Sequence, residues 1–422
     1  MKYFGTDGIR GIAGKDLKNQ MIRKIAKAIV RYYDKHKLKR VLLVGNDSRI
    51  SSDYILSSLE SILLSHGIQT HNLGIISSPG LAYLTREFNY PLGLMLSASH
   101  NPSEYNGIKF FNSVGEKVDD NFEEEFEYLM DKKIKLNKIN FTSRKNVENL
   151  KENYINYLKK LKNFNISCIF DCSNGATSKI IEKIFTNTQI INHNPDGINI
   201  NENAGCTHIE KLQKLCIKNH KIGFAFDGDG DRIHIVSETG EILNGDKILY
   251  ILSKFFLHKN DTIVGTIYTN GGLEKSLKTI NIRLIRSYVG DKNVYNDMIK
   301  NDSYIGGEES GHIILRQYMN TGDGILTAII IGNILKLSGL SLNELLSDYN
   351  EYYQARSNIK TRTDFTIPEE AKNIIKELEK SGTKIIIRPS GTEPVIRLFV
   401  EDKNIENSQK YIKLLENLIK TQ

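Results

Sequence analysis

No tract of this 422-residue chain is apolar for long enough to cross a bilayer. The longest, Ile325 to Leu340, is broken by Gly332, Asn333, Lys336 and Gly339 and falls short of the roughly 20 residues a spanning helix needs. It reads as a buried helix, and no membrane partner is expected. The opening Met1-Lys-Tyr-Phe-Gly-Thr-Asp-Gly8 places charge and glycine where an export signal carries an apolar core, so a cytoplasmic protein is expected. Cysteine is scarce as well. Cys168, Cys172, Cys206 and Cys216 show no Cys-x-x-Cys spacing, and only Cys206 has a histidine, His208, close by. No disulfide framework or zinc site is expected, and reduced thiols are favoured. The Gly-x-Ser-x-Gly elbow of serine hydrolases is missing too.

What is present is an ordinary globular composition, 40% hydrophobic and 25% charged, long enough for two to four domains. The net charge of +7 raises the question of nucleic acid. Its lysines are dispersed, however, and runs such as Lys132-Lys133-Ile-Lys135 and Lys159-Lys160-Leu-Lys162 lack the interleaved aromatics of a strand-binding groove. They read as solvated faces, so no nucleic-acid partner is expected. A mild positive field suits a small phosphorylated substrate instead.

Helix and strand patterns alternate. Apolar residues at helical spacing from about 19 to 36 precede Arg40-Val-Leu-Leu-Val-Gly45, a short apolar run ending in glycine, as in a buried parallel strand. Helices over Tyr54–His66 and Gly80–Phe88 then alternate with strands at Gln69–Leu73 and Leu92–Leu96. After a polar helical stretch from about 118 to 162, a second α/β unit opens at Ser167–Asp171, with a helix near 177–186 and a strand at Lys221–Phe226. A third begins near Gly245, with a helix over 246–257, a strand at Thr262–Ile267 and another near 303–305. The tail reads helix (Glu369–Lys380), strand (Thr383–Ile387), strand (Val395–Val400), helix (Asn407–Ile419), an α+β unit. The expectation is three related α/β domains with mixed sheets and a smaller α+β C-terminal domain, divided as 1–150, 151–244, 245–355 and 356–422.

Asp227-Gly-Asp-Gly-Asp-Arg232 sets three carboxylates at alternate positions on glycine-permitted tight backbone, a hard-oxygen set for Mg²⁺. A calcium loop of EF-hand type needs glycine at its sixth position, where Arg232 stands, and flanking helices, where strands are expected. Ser97-Ala-Ser-His-Asn-Pro102 follows the strand Leu92–Leu96, and ligands of open α/β sheets gather at such carboxyl ends. Beside a cation, a serine there can carry phosphate, although spacing alone leaves Ser97 and Ser99 open. His100, next in an extended chain, is expected to point away from its neighbour.

Two further loops suit a phosphorylated ligand. Arg388-Pro-Ser-Gly-Thr-Glu-Pro394, with Arg397 beyond, offers guanidinium forks, hydroxyls and turn amides for a phosphate dianion, in a spacing that matches no Walker loop. Gly306-Gly-Glu-Glu-Ser-Gly-His312 gathers the carboxylate, hydroxyl and imidazole groups that hold sugar hydroxyls. Its His312 could also do acid/base work, with an intrinsic pKa of about 6.5.

Together with Phe4-Gly-Thr-Asp-Gly-Ile-Arg-Gly11, these motifs closely resemble, in order from Tyr3 to Val400, the α-D-phosphohexomutases, and within them the bacterial phosphoglucosamine mutases. The resemblance implies four domains around a central cleft and a phosphoserine enzyme, which selects Ser99. It implies Mg²⁺ held by the Ser99 phosphate with Asp227, Asp229 and Asp231, and Arg10 and Lys109 flanking the transferred group with His100 close by. By the same resemblance Glu308 and Ser310 grip sugar hydroxyls, while Arg388, Ser390, Gly391, Thr392 and Arg397 hold the phosphate that is not transferred. Lys109 or His312 would move the hydroxyl proton. The implied substrate is a small hexosamine phosphate, handled by a monomer or homodimer. One departure is Glu309, where that branch usually has glutamine and other branches have glutamate.

Overall fold

The computed structural model describes residues 2–132, 140–186, 188–360, 366–389 and 395–420. It divides into two compact units, one of Met1–Tyr268 with Asn281–Ser347 and one of Thr269–Ile280 with Asp348–Gln422.

The first unit holds three mixed sheets. In the first, Val41–Asn46 lies between Leu92–Leu96 and Gln69–Ile75 as its parallel neighbours. Every residue of Leu92–Leu96 and most of Val41–Asn46 are buried, because helices cover both faces, and that is why these strands read as apolar runs without alternation. Asn19–Lys35 packs one side of this core through Ile22, Ile25, Ala26, Ile29 and Tyr33. The second sheet centres on Cys168–Asp171 and Ile222–Phe226, and the third on Thr262–Thr266, parallel to Arg283–Ser287 and to Ile305–Gly307. The apolar tract expected as a buried helix is Gly324–Ser338, buried from Gly324 through Gly332 and again at Ile334 and Leu335, capped by the Asp323 side chain and closed by Gly339 at φ +69°. Among the described residues no helix is long and apolar enough to cross a membrane.

One arrangement recurs in all three sheets. A parallel strand ends, the chain reverses, and the next strand returns antiparallel beside it: Leu92–Leu96 to Tyr105–Asn112, Ile222–Phe226 to Ile233–Val236, and Ile305–Gly307 to Ile313–Leu315. The three reversals are the serine, aspartate and Gly-Glu-Glu-Ser-Gly-His segments.

In the second unit an antiparallel sheet sets Val395–Asp402 between Tyr353–Lys360 and Lys384–Pro389. Ile359, Leu398, Val400, Ile412, Leu415 and Ile419 form its core, with Ile405–Lys420 packed on the sheet. The helix Glu369–Lys380 has the bounds expected from sequence.

Candidate active site

Ser99 is buried and adopts a left-handed backbone, φ +55°. Its N–H donates to Ser97 Oγ at 2.8 Å, and its own Oγ donates to Asp227 Oδ2 at 2.5 Å. The two serines therefore divide the work, Ser97 bracing the turn and Ser99 facing the carboxylates. The left-handed turn also corrects the expectation that His100 points away, since its Nδ1 lies 3.4 Å from Ser99 Oγ. Burial, reinforced by the charges of Arg232 and Arg10, holds the His100 imidazole down at about 4.

The aspartate segment joins two strands, not two helices, so the calcium-loop alternative fails. Asp227 Oδ1 accepts from the N–H groups of Gly230, at 3.1 Å, and Arg232, at 3.2 Å, which curls the loop onto itself. Glycine is needed twice. Gly230 has φ +74°, and a Cβ on Gly228 would stand 2.7 Å from the carbonyl oxygen of Ser99. This close approach brings the Ser99 turn and the carboxylates together. All three aspartates are buried, with ligand oxygens within 4.8 Å of one another. Asp229 Oδ1 and Asp231 Oδ1 have no hydrogen-bond partner among the described residues. Burial, then the neighbouring charges of Asp231 and Asp229, pushes the Asp227 carboxyl well up. Clustered hard oxygens, two of them without a hydrogen-bond partner among the described residues, fit a small divalent cation.

Cations surround this cluster. Lys109 Nζ, on the strand Tyr105–Asn112, is 2.7 Å from Asp229 Oδ2, 2.7 Å from Asp7 Oδ2 and 3.7 Å from Asp231 Oδ2. Burial opposes its charge but is outweighed by Asp229, Asp7 and Asp231, so its pKa is pushed up to about 12. Arg10, opposite Gly107 on the adjoining antiparallel strand, pairs with Asp7 and reaches the cluster through it. Lys117 bridges Asp7, at 2.6 Å, to Asp291. His312 Nδ1 is 3.7 Å from Asp231, and its Nε2 accepts the Gly322 N–H at 3.1 Å, which leaves Nδ1 as the protonated nitrogen of the neutral ring.

The sugar-loop candidates sit on the hairpin ending at His312. Glu308 Oε1 accepts from Gly290 N–H at 3.1 Å, and Asp291, the next residue, lies 3.4 Å from His312 Nε2, so the 290–291 turn links this loop to the carboxylate cluster. Ser310 and Glu309 are partly exposed beside it, and the Glu309 carbonyl accepts from Gly245 N–H. In the second unit, Arg388 and Arg397 are direct cross-strand partners. Ser390, Gly391 and Thr392 lie outside the described residues.

Sequence reasoning passed over Asp7, Lys117 and Asp291, which tie the cluster together, and Ser78, which gives its N–H to the Asp229 carbonyl at 2.9 Å and its hydroxyl to the Asp229 carboxylate. It also passed over Asp47, Arg49 and Asn201 beneath the serine loop. Only Asp47 and Arg49 carried a positional signal, standing at the carboxyl end of Val41–Asn46.

Residues 1–137 match phosphoglucomutase/phosphomannomutase alpha/beta/alpha domain I, residues 244–352 match domain III, and residues 347–412 match the C-terminal domain of the same family. The chain is 40% identical to the phosphoglucosamine mutase of Finegoldia magna over 442 aligned positions, covering 99% of this chain and 98% of that one. With the phosphoglucosamine mutase of Limosilactobacillus reuteri it shares 37% identity, covering 100% and 99%. The same fold is seen in a phosphoglucomutase/phosphomannomutase family protein of Burkholderia thailandensis (TM-score 0.78, 19% identity, 98% and 97% covered). It is seen again in the N-acetylphosphoglucosamine mutase of Aspergillus fumigatus, solved with GlcNAc-6P and magnesium (TM-score 0.69, 15% identity, 99% and 95% covered).

Proposed function

Because the chain belongs to the phosphoglucomutase/phosphomannomutase family, we propose that it is a phosphoglucosamine mutase, interconverting glucosamine 6-phosphate and glucosamine 1-phosphate through a phosphorylated Ser99. The observation that carries this reading is the Ser99 hydroxyl 2.5 Å from a carboxylate of a buried cluster of three aspartates whose ligand oxygens lie within 4.8 Å of one another. Asp227, Asp229 and Asp231, with the Ser99 phosphate, would hold Mg²⁺, which when bound neutralises phosphoryl oxygens and so favours transfer.

Ser99 gives its phosphoryl group to one sugar oxygen, the 1,6-bisphosphate reverses, and Ser99 takes back the other group. Lys109, charged and fixed between Asp7 and Asp229, and Arg10, held by Asp7, offset the charge in flight. His312 gives or takes the hydroxyl proton at Nδ1, its other nitrogen being engaged by Gly322. His100, kept neutral, packs beside Ser99 without adding charge. Glu308 and Ser310 grip sugar hydroxyls, and Arg388 and Arg397, with Ser390, Gly391 and Thr392, hold the distal phosphate. The four sheets correspond in this reading to domains 1–150, 151–244, 245–355 and 356–422. Four free buried thiols favour the cytoplasm, where such cysteines stay reduced.

The test has two parts. Ser99→Ala should abolish exchange of label between the 1- and 6-phosphates; normal turnover would sink the phosphoserine route. Side-by-side kcat/KM on glucosamine, glucose and mannose phosphates should favour glucosamine. A preference for mannose or glucose would move the protein to another branch of the family, the direction in which Glu309 points.

A further inference from the structure

Beneath the serine loop lies a buried guanidinium that the transfer chemistry does not use. Arg49 is 2% exposed. Its Nη2 donates to the carbonyl oxygens of Ser99 and Asn101, each at 2.8 Å, and its Nη1 donates to that of Pro102. The counter-charge is Asp47, whose carboxylate accepts Arg49 Nε at 2.9 Å and the Arg49 N–H at 3.0 Å. From the second sheet's side Asn201 reaches the same carbonyls, its Nδ2 donating to Ser99 at 2.9 Å and Asn101 at 3.0 Å.

A left-handed serine is an uncommon conformation and persists only where its surroundings over-determine it. Here the carbonyls of Ser99 and of the residues that follow it are drawn onto one planar cation, and a guanidinium is suited to this because its donors are fixed in a fork. A lysine in its place would offer a point charge on a flexible stem. Without the fork, Ser99 loses the constraint that aims Oγ at Asp227, and its phosphate loses its fixed position over the carboxylates. A displacement of about 1 Å at a reacting atom can cost about 100-fold in rate.

We propose that Arg49 is a positioning residue for phosphoryl transfer: with Asp47 as its counter-ion and Asn201 as its helper, it gathers the carbonyls of Ser99, Asn101 and Pro102 and holds Ser99 in its left-handed, transfer-ready conformation. The proposal rests on the reading of Ser99 as the phosphate carrier. Because the Arg49 side chain is fully buried beneath the serine loop, its loss should reduce kcat and leave KM for the sugar phosphate nearly unchanged.

The experiment compares Arg49→Gln, Arg49→Lys and Asn201→Gly with the parent. Steady-state kinetics are combined with intact-mass measurement of how fast Ser99 takes phosphate from a hexose 1,6-bisphosphate. Arg49→Gln should lower both kcat and the phosphorylation rate by about 100-fold with KM within about 3-fold, and Arg49→Lys should recover part of the loss. Since Arg49→Gln leaves Asp47 without its cation and can fail to fold, Asn201→Gly decides independently. It removes no charge, and glycine accepts the φ of +61° at that position. Its kcat should fall several-fold at unchanged KM. Unchanged kcat in a folded Arg49→Gln or in Asn201→Gly overturns the proposal, as does a rise in KM alone. Uptake of phosphate by Ser99→Ala would instead overturn the underlying reading, so the two failures are distinguishable.

Discussion

The hydroxyl of Ser99 donates to the Asp227 carboxylate at 2.5 Å. Phosphorylation replaces that donor with a dianion and turns an attraction into a repulsion between buried negative charges, which a divalent cation relieves. Phosphorylated protein should therefore bind Mg²⁺ at least ~10-fold more tightly than Ser99→Ala. Calorimetric titration of the two forms measures this, and equal affinities would remove Ser99 from the metal site.

Ser78 is bonded to Asp229 twice, by N–H and by hydroxyl. Losing an outer-shell partner of this kind typically costs about 10- to 100-fold in metal affinity or activity. Ser78→Ala should shift the Mg²⁺ concentration for half-maximal activity upward by that factor while the backbone bond keeps the loop in place. An unchanged Mg²⁺ requirement would mean that Asp229 is oriented by other groups.

Gly228 is the point where two functional loops touch, 2.7 Å separating its would-be Cβ from the Ser99 carbonyl oxygen. Gly228→Ala should push the loops apart and lower kcat by about 100-fold. The melting temperature should change little by comparison. Activity within twofold of the parent would refute the tight-approach argument.

Asp323 is buried, accepts from Leu326 N–H at 2.9 Å and from the Tyr154 hydroxyl at 2.7 Å, and burial pushes its pKa up to about 6. The native state thus binds a proton more tightly than the unfolded chain does. The associated stabilisation is complete below the unfolded pKa near 3.8 and is lost as pH rises through about 6. Between pH 5 and 7.5 the group should withdraw about 1–1.5 kcal/mol. Asp323→Asn, which keeps a capping oxygen, should flatten that part of the stability–pH curve in thermal melts, and parallel curves for the two proteins would contradict the assignment.

All four cysteines are buried and free, and burial raises every thiol, Cys168 and Cys216 to about 12. Thiolate is the reactive form, so native protein at pH 8 should leave a disulfide reagent unconsumed over minutes and release four equivalents once unfolded. One fast thiol in the native state would count against this packing.

Legibility in the sequence followed the range of the interactions. Leu92–Leu96 and Glu369–Lys380 could be read to the residue, because a buried strand and an amphipathic helix write their environment into consecutive positions. Ser99 and the three aspartates were legible because the loops that carry them are short and chemically dense. Tyr105–Asn112 was not read as a strand, since polar Asn106 and Lys109 stand among its buried residues, Asn106 bonded to Ser51 and Ser52 and Lys109 to Asp7 and Asp229. Lys117 joins Asp7 and Asp291 across 110 and 174 positions of chain, and no local spacing announces such partners. Arg49 was hidden in the same way, its targets more than 50 positions downstream or close to that.

The recurrence of one reversal at the end of a parallel strand has a consequence for descent. A hairpin closes on its own pair of strands, so its turn can be rewritten while the ladder beneath it and the crossover helices elsewhere stay as they were. On the proposed reading, carrying the phosphoryl group, ligating the cation and recognising the sugar fall on three such turns. On that reading, a lineage can change the sugar it accepts by altering Glu308 to Ser310 within the turn between Ile305–Gly307 and Ile313–Leu315, while His312 at the end of that turn is kept for the transfer.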